Sequence, residues 1–505
     1  MPLPFSQAKA VLCMASLLFS TALCRAQSIA VPWGGYGHDA QHTGISAVTA
    51  QTMSAFHWPV PVKVDELPQY SGTSLLIHYG SPLSTRANTI IFPVKTGVSD
   101  GFRVEARNGA NGAVRWTEAS DYTLPVHNWV PSFGAILTPK NRLWFPGAGG
   151  KVYFRDTPDA ATGTRGQIVF YGAENYDVAV KINTPITSDR YGNIFFGFVV
   201  EGTVTNGLVS GIARIAEDGT GSWVSANAAA EGAGGISNVV HNCAPALSND
   251  HRTLYLAVHG GGYSAGYLVS LNSRTLAPIA KVRLKDPRPS PYDDALLPYD
   301  GTASPTVGPD GDVYYGVLEA STGSNHYRGW MLHFDGALAV VKTPGAFGWD
   351  DTASVVPSAS VPSYTGTSQY LLLTKYNNYA QAGGGGLNKV AILDPNDTMT
   401  DPVTGASVMK EIITALGPTP DSEYPAFPGA VREWCINTAA VDPVGKCAIV
   451  NSEDGKVYRW DFVTNSLIQP FTLTTGIGEA YTPTIIGVDG TIYAISNAMI
   501  FAIGQ

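Results

Sequence analysis

Charge is scarce in this chain: Asp, Glu, Lys and Arg make up 14% of its 505 residues, against about 25% in an ordinary globular protein. The balance is acidic, −9 at neutral pH, and no run of Lys or Arg occurs. A nucleic acid or an anionic membrane surface is therefore a poor partner. Heptads are missing, and a hydrophobic fraction of 44% leaves no room for a disordered chain. Long helices are excluded by 55 Gly and 34 Pro, which interrupt every stretch where one could form. Long apolar runs are lacking too. The only leader-like one, Val11 to Leu23, is too short to cross a bilayer. It follows Lys9 and ends in Cys24-Arg25-Ala26, so residues 1–26 read as a secretory signal and residues 27–505 as one domain, exported to the periplasm or the medium. No transmembrane span is expected once the signal is removed. Leu23 before Cys24 argues against a lipid anchor.

Cysteine is nearly absent, and past the signal only Cys243, Cys435 and Cys447 remain. In an export compartment the simplest reading is one pair and one free thiol. Cys435 and Cys447 are twelve apart across a predicted hairpin, a spacing that permits a bridge without establishing it. Two catalytic signatures are also missing: no His-Glu-x-x-His and no Cys-x-x-Cys. Gly383 to Gly386 lacks a following Lys-Ser/Thr and reads as a loop, not a phosphate cradle.

What is present is a repeat. Each copy opens on a short polar segment, often Ser/Thr-Pro or Ala-Pro, followed by a strand, a turn with Asp, Asn or Gly, and a second strand rich in Tyr, Phe and Val. Eight copies can be read: Ser81 to Pro93, Ser132 to Phe145, Thr184 to Phe198, Ala244 to Val258, Ser304 to Val317, Ala353 to Thr374, Thr438 to Asn451, and Thr482 to Ser496. The turns Asp310-Gly311, Asp489-Gly490, Gly192-Asn193 and Asn249-Asp250 carry residue types that accept positive φ. A third strand follows, as in Phe102 to Ala106, Tyr267 to Leu271 and Lys456 to Trp460, and then a less regular fourth, as in Ala113 to Trp116. Four strands per unit at this period predict an all-β, eight-bladed propeller. After Ser496 only a third strand fits, so Ala55-Phe56-His57-Trp58 is predicted to complete blade eight and close the ring.

The stretch Ala106-Arg107-Asn108-Gly109-Ala110-Asn111-Gly112-Ala113-Val114-Arg115-Trp116 resembles the repeat of the pyrroloquinoline-quinone-type β-propellers, Ala-x-Asp-x-x-Thr-Gly-x-x-x-Trp, with Asn108 and Asn111 replacing Asp and Thr. The opening Trp33 to Gly44 is similar to the start of many exported members, including the outer-membrane assembly propeller. The resemblance implies two uses. In the quinoprotein alcohol dehydrogenases the quinone is sandwiched between a Trp and a disulfide of adjacent cysteines, beside calcium and a catalytic Asp. This chain has no adjacent cysteine pair. The other use is a non-catalytic module that binds a protein or glycan ligand, and it is the preferred reading. No cofactor is expected; pyrroloquinoline quinone and calcium belong to the alternative, an oxidoreductase with a divergent site. A monomer is expected.

In a propeller the innermost strands begin around a channel mouth, where residues distant in sequence converge. The candidate ligand residues there are His78, His127, Trp129, His241, Asp300, Trp349, Asp350, Glu433, Trp434 and Glu479, with Tyr79, Asn128, Asn183, Asn242, Tyr299, Asp351 and Tyr481 beside them. Rings next to carboxylates and amides suit a sugar, or a hard cation held by oxygens. No metal site is assigned, because the neighbours Asp350 and Asp351 on a strand face opposite ways. His38 and His42 sit among Gly34, Gly35, Gly37 and Gly44, which oppose the helix a zinc pair would need. A structural role is expected there, with Trp33 packed on a blade and Asp39 capping a turn. Segments 224–238, 284–300 and the long stretch 376–434 are expected as loops over a face.

Overall fold

The computed structural model describes Met1 and residues 33–505, apart from 72–73, 78, 127–131, 173–174, 290–293, 300 and 476–480. The segment read as a secretory signal, except for Met1, thus lies outside the described residues. Among the described residues no helix is long and apolar enough to cross a membrane.

All eight repeat copies become blades of one β-propeller. Blade one shows how composition sets the layers. Thr89–Lys95 is buried at every position, because inner strands are covered on both faces by neighbouring blades. Val114–Ser120, at the rim, alternates between exposed and buried. Gly192, Gly311 and Gly490 take the positive φ expected of their turns, whereas in the Asn249-Asp250 turn it falls on the next residue, His251.

Blade eight is closed as the missing strand required. Ala55–Phe56 pairs with Met499–Gly504, placing Ala55 opposite Gly504 and Phe56 opposite Ile503. Trp58 is buried against Tyr493 and donates its indole N–H to Gly109 O of blade one at 2.8 Å.

Blade five holds only three strands, Thr306–Val307, Val313–Val317 and Trp330–Phe334. Part of the stretch read as a long loop turns out to be strand: Lys389–Thr400 and Ser407–Leu416 are the outer strands of blade six, grown into a long hairpin. Its tip buries Val408 and Met409 in the core shared with blades four and five, and Met409 N–H donates to Pro344 O at 2.8 Å. Asp401, also at the tip, meets Arg328 of blade five at 2.7 Å with both side chains fully buried.

The expected cysteine pair does not form. Cys243, Cys435 and Cys447 are separate buried thiols. The Cys435 N–H bonds to Asn451 O, at the far end of the strand Cys447–Asn451. Four residues at about 3.3 Å each separate it from Cys447, well beyond bridging distance.

The segment from Trp33 to Gln51 is more than a packed turn. Trp33 is buried, and Asp39 accepts the N–H groups of Gln41 and Thr43 at 3.1 and 3.0 Å, as expected. His38 and His42 have positive φ, and His42 Nδ1 bonds to Pro305 O at 2.7 Å, so they form no helical pair. Beyond this, the segment runs round the inside of the ring and meets the innermost strands in blade order. Trp33 bonds to Ser84, and Gly34, Ala40, Gln41, Thr43 and Gly44 accept from Leu137, Leu247, Val307, Val355 and Val441. Gln51 N–H then donates to Gly490 O of blade eight. Gly44 has φ +66°, and a Cβ there would stand 2.6 Å from Ala439 O, so the belt fits too tightly for a side chain at that point.

Candidate functional site

From this belt Tyr36 projects along the channel. Its hydroxyl lies 2.7 Å from Thr352 Oγ1 and 3.3 Å from Thr302 O, and it also bonds to Asn437. Asn437 Nδ2 donates across to Thr302 Oγ1 at 2.6 Å and to Asp350 O at 3.2 Å. Tyr36, Tyr79, Ala244, Ala440 and Tyr481, drawn from the belt and from blades one, four, seven and eight, share one buried cluster. The axis is therefore filled by packed side chains, and burial pushes the Tyr36 phenol up to about 12.

Around this plug the candidate residues fall into groups. Asp350 has φ +55°, an escape from strand geometry that lets it accept a hydrogen bond from the Thr302 hydroxyl and lie 3.7 Å from Lys375 Nζ. Asp351 is buried, and its Oδ2 has no hydrogen-bond partner among the described residues. Burial pushes its carboxyl up to about 8, with Lys375 opposing. Glu433 is also raised to about 8, by burial and then by Glu453, again with Lys375 opposing. Lys375 thus stands between three mouth acids. Sequence reading missed it, although a lone charge after Leu371-Leu372-Leu373-Thr374 was visible.

Trp434 lies in the packing of blades six and seven, with its ring against Tyr458, away from the mouth. Trp349 is half-buried over Gly301. Asp421, Glu423 and Glu453 come close enough together to chelate an ion. The Arg432 guanidinium fills their centre, with Nη1 at 3.1, 2.6 and 3.7 Å from them. His78, His127, Asn128, Trp129, Asp300 and Glu479 lie outside the described residues.

His241 belongs to a separate feature, an open recess of about 440 Å³ beside the axis over blades three and four. Asn183, Val199, Glu201, Asn238, His259 and Tyr299 also line it. From the segment 284–300 Tyr299 lines it, and the carbonyl of the buried Leu297 accepts from His259 of its wall at 3.0 Å. Burial pushes His259 down to about 4, so it is neutral at pH 7.

The described residues do not fit a quinone clamp. A flat tricyclic cofactor needs two facing walls and a cation. The three cysteines are separate, the axis is occupied by Tyr36, and the mouth carboxylates surround the ammonium of Lys375.

The mouth acids set a pH dependence. Asp351 and Glu433 hold their protons in the fold up to about pH 8, whereas in the unfolded chain they lose them near pH 4. Between those values the native state binds more protons, so stability falls as pH rises. Each group contributes at most about 1.4 kcal/mol per pH unit in that window. Tm measured from about pH 5 to pH 8 is expected to decline, and Asp351→Asn to flatten the slope; equal slopes in the two proteins contradict the assignment.

No protein-family model matches the chain, and no curated protein matches it in sequence. Solved structures do match. A europium-containing methanol dehydrogenase aligns over 92% of this chain and 89% of its own, at 11% identity and a TM-score of 0.54. The quinohemoprotein alcohol dehydrogenase from Comamonas testosteroni aligns over 95% and 82%, at 12% identity and 0.52. The quinohemoprotein alcohol dehydrogenase ADHIIG from Pseudomonas putida HK5 aligns over 94% and 76%, at 12% identity and 0.51.

Proposed function

We propose that the chain is an exported binding module that holds its ligand at the propeller mouth and does not oxidise alcohols. One observation carries this reading: the chain's own Trp33 to Gln51 belt and Tyr36 fill the axis, while a recess lined by His241, Asn238 and Tyr299 opens beside it. Its volume lies within the range of ligand pockets, about 300–1,000 Å³. The test is reconstitution. Purified protein mixed with pyrroloquinoline quinone and calcium is expected to emerge from desalting without quinone absorbance and to reduce no dye with methanol or ethanol. Stoichiometric retention of the quinone overturns the reading in favour of an oxidoreductase.

A further inference from the structure

The described residues of the recess wall offer little charge. Glu201 is an acid on its wall, and it is engaged by Lys181 Nζ at 3.0 Å and by the Val126 N–H at 3.0 Å. His259 is held neutral by burial and donates to a carbonyl. Among the described residues of the wall, a phosphate, carboxylate or ammonium entering here would lose hydration and find no unengaged carboxylate, Lys or Arg to offset it. Neutral hydrogen-bonding groups are plentiful. The Asn238 amide stands beside Ser237 Oγ at 3.1 Å. Asn183 donates to Val239 O at 2.9 Å while its Oδ1 finds no donor among the described residues. Gly261 and Gly262 have positive φ, and a Cβ at Gly262 would meet nothing within 4 Å, so the backbone there is unobstructed.

The remaining wall is apolar and aromatic. Val126, Val199, Val200 and Val239 line one part of it. The Tyr299 ring stands edge-to-face with Tyr263, with centroids 5.9 Å apart at 89°, an arrangement that fixes the ring's orientation. Val126 and Tyr263, on the rim, are 73% and 46% exposed, so a ligand longer than the recess finds further apolar surface on leaving it.

A ligand matched to this wall is neutral, rich in hydroxyls and has an apolar C–H face. We infer that the recess binds a neutral oligosaccharide, with the C–H face of one sugar against Tyr299 and the valines and its hydroxyls on Asn238, His241 and the Gly261–Gly262 backbone. This inference rests on the reading of the mouth as a binding site.

The experiment uses the full chain on an array of neutral glycans that includes cello-, xylo-, chito- and maltohexaose, with heparin and polygalacturonate as charged controls. Hits are followed by calorimetric titration. At least one neutral saccharide is expected to bind with Kd of about 1 mM or tighter, and the charged polymers are expected not to bind. Tyr299→Ala and Asn238→Ala are each expected to weaken binding about tenfold or more while keeping Tm within about 2 °C. No neutral saccharide bound, or binding indifferent to both substitutions, overturns the inference. A peptide that binds in a Tyr299-dependent way when no saccharide does overturns it as well, and leaves the binding-module reading standing. Retention of quinone in the reconstitution defeats both.

Discussion

Deletion of residues 50–62 is expected to lower Tm by more than about 10 °C, the largest effect of any change to the chain outside its innermost strands. These residues do three things at once. Ala55–Phe56 and Val62 pair with the last strand of blade eight, most of whose edge opens without them. Trp58 fills the seam between blades eight and one and bonds to Gly109 O. The carbonyls of Ala50 and Gln51 accept from Arg459 of blade seven at 3.1 and 2.6 Å, and Ala50 N–H donates to Asp442 at 2.9 Å. A graded series separates these roles. Trp58→Ala alone removes a side chain that is 1% exposed and is expected to cost about 3–5 kcal/mol, whereas Phe56→Ala, at a 46% exposed position, costs less. Calorimetry of the three variants checks the order. An unchanged Tm after the deletion contradicts ring closure by this segment.

Asp401→Ala is expected to destabilise by about 3–5 kcal/mol, because it strands a fully buried guanidinium. Arg328 donates to Asp401 Oδ1 and Oδ2 at 3.0 and 2.7 Å, to Tyr376 Oη at 2.6 Å and to Asn325 Oδ1 at 2.6 Å. Burial works against the Asp401 charge, yet hydrogen bonds from Arg328 and Thr404 hold its carboxyl at about 2. The pair fastens the blade-six hairpin to blade five, whose third strand is flanked only by the isolated bridges Met331–Gly345 and Phe334–Val341. The double variant Arg328→Met/Asp401→Leu is expected to recover most of the loss, since apolar side chains of similar size remove the buried charge without leaving a void. Denaturant titrations of the single and double variants give the coupling. Two single variants each costing under about 1 kcal/mol contradict this role.

Much of the fold was legible because a propeller writes each blade into the chain in the same order. All eight copies, the turns and the closing strand could be read from alternation and turn residues. The blade-six hairpin looked like loop because its strands run past the length of the other blades and shift register between Asp394 and Thr398. The belt was illegible for a different reason. It is held largely by backbone groups, which every residue carries, so only closely fitted glycines such as Gly35 and Gly44 hint at it.

The mouth was half legible. Polar and aromatic residues do begin the innermost strands, yet neighbours there divide between solvent and core. In Glu433-Trp434 the acid joins the Lys375 group and the indole goes inside, as alternation and hydrophobicity together demand. Asp350 and Asp351 would have divided likewise, but a positive φ at Asp350 keeps it beside Lys375 while Asp351 is buried. Lys375 was hidden because its partners Asp350, Asp351 and Glu433 lie far from it in the sequence, which no local pattern reports.

The Trp33 to Gln51 belt and Tyr36 pack into the propeller's own channel. Hydrogen exchange of the native protein tests this packing most directly. The amides of Leu247, Val307, Val355 and Val441, which donate to the belt, and that of Ser46, which donates back to Val441 O, are predicted to exchange as slowly as the blade cores. Exchange of these five amides at the rate of exposed loops would mean an open channel, and would contradict the account.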